Sequence, residues 1–100
     1  MTIHDQIVTL APHTAFSWRR WGDEWVAFEA YSGQTNLMGS VSALALIELE
    51  GGPLRLPELE SRIANSLELS AAPEFPQLLI GAIAELSDLG LIACMPHEAV

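Results

Sequence analysis

The chain has 100 residues, half of them apolar, which is enough for a real core and argues against disorder. Thirteen Asp and Glu stand against four Lys and Arg, a formal net charge of −9. That balance argues against a nucleic-acid binder, which needs a basic face, disfavours an anionic membrane surface, and favours a neutral or basic partner.

Residues 1–13 read as a lead-in of weak pattern, ahead of a sheet over 14–38, a three-helix part over 39–95 and a tail over 96–100. All belong to a single domain. No basic region followed by an apolar run opens the chain, so no signal peptide is expected. The apolar run Ala43 to Ile47 falls far short of the about 20 residues of a membrane span. Cys94 is the single cysteine and excludes an internal disulfide. A cytoplasmic protein is expected.

The sheet rests on two turn signals. Gly22-Asp23 lies between Phe16–Trp21 and Glu24–Tyr31, and Ser32-Gly33 lies between Glu24–Tyr31 and Gln34–Met38. Two-residue loops containing Gly are strong hairpin signals. Tight loops would set Trp21 opposite Glu24, Arg19 opposite Val26, Tyr31 opposite Gln34 and Phe28 opposite Leu37. Alternation then sorts the side chains. Trp21, Val26, Phe28, Ala30, Thr35 and Leu37 form the expected core face. Phe16, Trp18, Arg20, Trp25, Glu29, Tyr31, Asn36 and Met38 form a mixed aromatic face. That second face is open to a partner or covered by Ile7, Val8 and Leu10 of the lead-in.

The first helix is predicted from Ser40 to Glu50, capped by Gly39-Ser40 and stopped by Gly51-Gly52-Pro53. It is apolar on nearly all sides, which predicts burial. The second starts around Pro57 with the stripe Leu56, Leu59, Ile63 and Leu67, and Glu58 and Arg62 at i,i+4. The third begins near Pro73–Pro76 and ends before Gly90. Its expected core stripe is Phe75, Leu78, Leu79, Ala82, Ile83, Leu86 and Leu89. Leu91 to Met95 reads as a short extended tail. The fold class is therefore α+β: a three-stranded antiparallel meander followed by three helices, like a winged helix-turn-helix with the wing moved to the N-terminus.

Catalytic chemistry has little to stand on. His4, His13 and His97 lack zinc-finger or HExxH spacing, so no metal is expected. Cys94 follows Leu91-Ile92-Ala93 and reads as a small buried hydrophobe. Neither GxGxxG nor GxxxxGK[ST] occurs, so no phosphate-bearing cofactor is expected. The chain reads as a non-enzyme without cofactors.

Binding features are stronger. Gln34–Met38 is an expected edge strand with no Lys or Pro to blunt it, either covered by another element or free to accept a strand. Opposite the core stripe of the third helix lie Gln77, Ile80, Gly81, Ala84 and Asp88. Gly81 sits mid-helix at a cost of about 1 kcal/mol against Ala. Such a small-residue strip packs closely inside the fold or admits another backbone. Beside the edge strand, it would bound a groove for an extended peptide.

Three blocks carry a family resemblance over residues 14–93. They are Trp18-Arg19-Arg20-Trp21 through Val26-Ala27-Phe28 to Tyr31-Ser32-Gly33-Gln34-Thr35-Asn36-Leu37, then Pro53-Leu54-Arg55-Leu56-Pro57-Glu58-Leu59, then Leu86-Ser87-Asp88-Leu89-Gly90-Leu91-Ile92. In this order they resemble the PqqD-like peptide chaperones, or RiPP recognition elements, in the branch associated with HPr-kinase-related proteins. The resemblance implies three strands and three helices. It implies that a precursor's leader peptide is held as an added strand between the third strand and the third helix. It also implies delivery to a peptide-modifying or HPr-kinase-related enzyme. The implied binding residues are Gln34, Thr35, Asn36, Leu37, Met38, Gln77, Ile80, Gly81 and Ala84. Asn36 departs from the histidine expected there and removes an ionisable group. The alternatives are a winged-helix DNA-binding regulator, opposed by Glu85 and Asp88 on the third helix, and a structural subunit that forms a homodimer or larger homo-oligomer.

Overall fold

The computed structural model describes residues 6–12, 14–67 and 74–96. Among them the elements run β1 (Gln6–Leu10), β2 (Phe16–Trp21), β3 (Glu24–Glu29), β4 (Thr35–Met38), α1 (Ser40–Leu49), β5 (Leu54–Arg55), α2 (Leu56–Leu67), α3 (Phe75–Asp88) and β6 (Ile92–Pro96). The class is α+β. The antiparallel sheet β2-β3-β4 is present, and a second antiparallel sheet has the order β5-β1-β6.

The first hairpin turns where the sequence places it. Gly22 adopts φ 60, a left-handed conformation that suits glycine, and Trp21 pairs with Glu24 and Arg19 with Val26. The second hairpin is longer than expected. Glu29 N–H donates to Gln34 O at 2.8 Å and Gly33 N–H donates to Glu29 O at 2.9 Å, so the loop spans Ala30–Gly33. Val26 therefore pairs with Leu37 and Phe28 with Thr35, not Phe28 with Leu37. The Glu29 carboxylate explains the change. It accepts the backbone N–H groups of Ala15 (2.9 Å), Tyr31 (3.1 Å) and Ser32 (2.7 Å), drawing Tyr31 out of the strand and around itself. The ladder moves by two residues, so every side chain keeps its face.

Which face packs is the reverse of the expectation. Ala27 is fully buried, and Phe16, Trp18 and Met38 pack against the core, whereas Trp21, Phe28 and Leu37 are exposed. The mixed aromatic face wins because its polar tips are satisfied at the rim. Trp25 Nε1 donates to Ser40 Oγ and Trp18 Nε1 donates to Glu50 Oε1, each at 3.3 Å. The Arg20 guanidinium lies 4.9 Å from the centre of the Trp25 ring. Trp18 meets Trp25 edge-on with centroids 6.0 Å apart, an arrangement that suits aromatic quadrupoles. The two ends of α1 receive the Trp25 and Trp18 N–H groups, and Phe16 and Trp18 pack on a core that includes Val8 of the lead-in.

Residues Gln6–Leu10 of the lead-in form a central strand. Val8 pairs with Leu54 of β5 and Cys94 of β6, and Leu10 pairs with Ile92. The extended tail is thus β6, and the weak pattern of residues 6–10 conceals a fully buried Val8.

Helix α1 lies between the two sheets and the other helices, in contact with α2, α3, β1 and β3. Its N-cap is Gly39, which has no side chain to cap with, and the Ser40 hydroxyl in the first turn accepts from Trp25 Nε1. Gly52 at φ 129 and Pro53 prevent its continuation. In α2, Arg62 reaches Glu48 of α1 at 3.4 Å, not Glu58 on its own helix. In α3, Phe75, Leu79, Ala82, Ile83 and Leu86 are buried. Leu78 and Leu89, expected in the same stripe, are exposed because they fall on its margins.

Candidate functional site

Among the described residues no strand pairs with the outer side of β4. Glu29 and Gln34 form a hydrogen-bonded pair of the antiparallel ladder, so by alternation Asn36 and Met38 are bonded to β3. The N–H and C=O groups of Thr35 and Leu37 then point away from the sheet. Their side chains are exposed on the outer face, while Asn36 and Met38 are half-buried on the helix side. Asn36 Oδ1 accepts from Gln34 Nε2 at 3.3 Å, and its Nδ2 is buried with no acceptor among the described residues. Asn36 thus leaves a donor on the helix side of the strand.

Where β4 ends, Gly39 leads into the first turn of α1. A depression of about 300 Å³ there is lined by Glu24, Leu37, Met38 and Gly39. It shares Gly39 with a groove of about 450 Å³ that runs between Ser40–Ser42 and α3. Gln77, Leu78, Gly81 and Glu85 supply the α3 wall. Gly81 is open: a Cβ built there meets no heavy atom within 4 Å. The close-packing explanation of this glycine is thereby excluded, and the groove at that point is backbone-lined.

Of the nine candidate residues, Leu37, Met38, Gln77 and Gly81 line this connected path. Gln34, paired with Glu29 just before β4, borders a different hollow. Thr35 contributes edge groups only, and Asn36 faces the helix side. Ile80 and Ala84 lie outside the groove lining. Leu78 was missed because sequence periodicity assigned it to the core stripe, and Val41 lines the groove while also packing against the core. The only ionisable group in the groove lining is Glu85, so an anionic occupant is disfavoured.

Two other chemistry-bearing groups, Glu29 and Cys94, have shifted proton affinities. The Glu29 carboxyl is held at about 2, first by the Ala15 N–H and then by the Tyr31 and Ser32 donors, against the opposing effect of burial. Its oxygens are occupied by the loop it closes. Burial pushes the Cys94 thiol up, away from the reactive thiolate. His4, His13 and His97 lie outside the described residues. Among the described residues no three His, Cys, Asp or Glu side chains gather as a metal site, and no helix is long and apolar enough to cross a membrane. Comparison with family models, curated proteins and solved structures gives no match.

Proposed function

We propose that this chain is a non-catalytic adaptor that holds a peptide segment as an added strand on β4 and presents it to a modifying enzyme. The observation that carries the reading is continuity. The unpaired backbone groups of Thr35 and Leu37 lead at Gly39 into a groove with room above Gly81. Backbone pairing supplies affinity and the groove supplies side-chain selectivity. The resemblance to PqqD-like chaperones points the same way, with a leader peptide as ligand and a cytoplasmic setting. In this reading α1, β5, α2, α3 and β6 form a winged helix-turn-helix-like unit, with β1 completing the wing and the meander inserted between β1 and α1. The regulator alternative is weaker, because α3 presents Glu85 and Asp88 and no cation where DNA phosphates would lie.

The test is selection from a displayed library of random peptides, followed by amide NMR of the labelled chain with an enriched synthetic peptide. Binding should protect the Thr35 and Leu37 amides from exchange. Gly81→Leu should weaken the same peptide tenfold or more, about 1.4 kcal/mol, while the melting temperature holds. Enriched peptides that perturb neither amide and ignore Gly81→Leu would overturn the reading.

A further inference from the structure

The outer face of β2-β3-β4 is open and apolar. Trp21 and Leu37 are each 63% exposed and Phe28 is 43% exposed, around a half-buried Val26. A hollow of about 490 Å³ opens beside Arg19, Val26 and Phe28. Large apolar side chains gathered on one face mark an interaction surface.

The strand pairings say what fits there. Arg19, Val26 and Leu37 form one row across the sheet, and Trp21 and Glu24 form the next. A line from Trp21 to Leu37 passes close to Val26, with Arg19 on one side and Glu24 on the other. At ordinary strand spacing and rise, Arg19 and Glu24 stand at the same height along that line. A two-fold axis along it would lay each Arg19 over the partner's Glu24 and set Trp21, Val26 and Leu37 near their own copies.

We propose that the partner of this face is a second copy of the same chain, docked isologously about the Trp21–Leu37 line. Charge decides between a second copy and an unrelated protein. Among the paired strand residues of this face Arg19 and Glu24 are the only charges, so the ladder presents a neutral, self-complementary surface in a chain of net −9. Glu48, Glu50, Glu58, Glu60, Glu85 and Asp88 belong to the helical part on the other side of the sheet and stay apart in such a dimer. The groove by Gly81 remains free in both protomers, whereas the depression lined by Glu24 and Leu37 is covered by the dimer. The inference does not rest on the peptide reading, but combined with it the dimer offers two binding grooves.

Sedimentation equilibrium of the full chain at physiological salt, from low micromolar to a few hundred micromolar, should show a monomer–dimer equilibrium. Arg19→Glu sets two like-charge pairs in each dimer, and so does Glu24→Arg. Each should weaken association about tenfold or more, and the double reversal should restore it. Leu37→Asp should abolish the dimer with the circular-dichroism melt preserved. If that variant unfolds, the reversal pair still decides. A monomer throughout the range, leaving the face to some other partner, overturns the proposal. So does a dimer indifferent to both reversals.

Discussion

The two faces of the sheet β2-β3-β4 differ in a way that hydrophobicity does not foretell. The outer face carries Trp21, Val26, Phe28 and Leu37 with two charges, and it is open. The inner face carries Phe16, Trp18, Trp25, Ala27 and Met38 with Arg20, Glu29 and Asn36 among them, and it meets the core. The face with more polar atoms is the one that packs, because nearly every polar atom has somewhere to go. Trp18 and Trp25 hand their N–H groups to Glu50 and Ser40 at the two ends of α1. Glu29 collects three backbone donors. Burial is decided by satisfaction of polar groups as much as by apolar area.

The largest way to break this contrast is a charge at the centre of the packed face. Ala27→Asp should destabilise the chain by more than about 3 kcal/mol, since a carboxylate there has no partner. Urea unfolding should show little or no native population, and a two-state transition near the parental midpoint would mean that Ala27 is open to water.

Next comes Glu29. Its pKa in the folded chain, about 2, lies below the ordinary 4.5. The unfolded chain therefore binds the proton first, and the stabilisation, complete above pH 4.5, is lost as pH falls towards 2. Thermal melts across that window should show a steeper acid decline in the parent than in Glu29→Gln. The variant itself should melt several degrees lower at neutral pH, having lost the charge that closes the loop. Parallel acid declines would remove Glu29 from the account.

A smaller effect is expected outside. Phe28→Ala should cost no more than about 1 kcal/mol by chemical denaturation, because its ring is already much exposed. The same change under a core should cost about 3–5 kcal/mol, so one measurement distinguishes the two faces. The smallest effect sharpens the same rule on a helix. Gly81→Ala gains helix propensity and meets no neighbour, so it should raise stability by up to about 1 kcal/mol. A loss would mean that a backbone packs against Gly81.

Much of this architecture was readable from residue order, and the failures have physical causes. Gly22 marked the first hairpin correctly because the turn type requires a positive φ. Ser32-Gly33 marked the second but not its length, because Glu29 reorganises the loop through its side chain, which backbone turn rules do not see. Alternation found both sets of side chains on β2, β3 and β4 but is symmetric between inside and outside. The groove was half visible. Gln77 and Gly81 stood out on α3, while Leu78 was assigned to the core by a stripe drawn one residue too wide. Strand β1 was invisible for another reason. Its partners lie near residues 54 and 92–96, and local pattern carries no information about pairing at that distance.

That last pairing bears on how the chain reaches its native state. The β2–β3 ladder closes across two residues, but Leu10 must find Ile92, about 80 residues away. Loop closure over that span costs roughly 2–3 kcal/mol more entropy than a short turn, and none of it is recovered until β6 exists. The meander and α1 can assemble locally and β1 can pair with β5 over an intermediate span, while the other edge of β1 waits for β6 to complete the sheet it occupies at the centre.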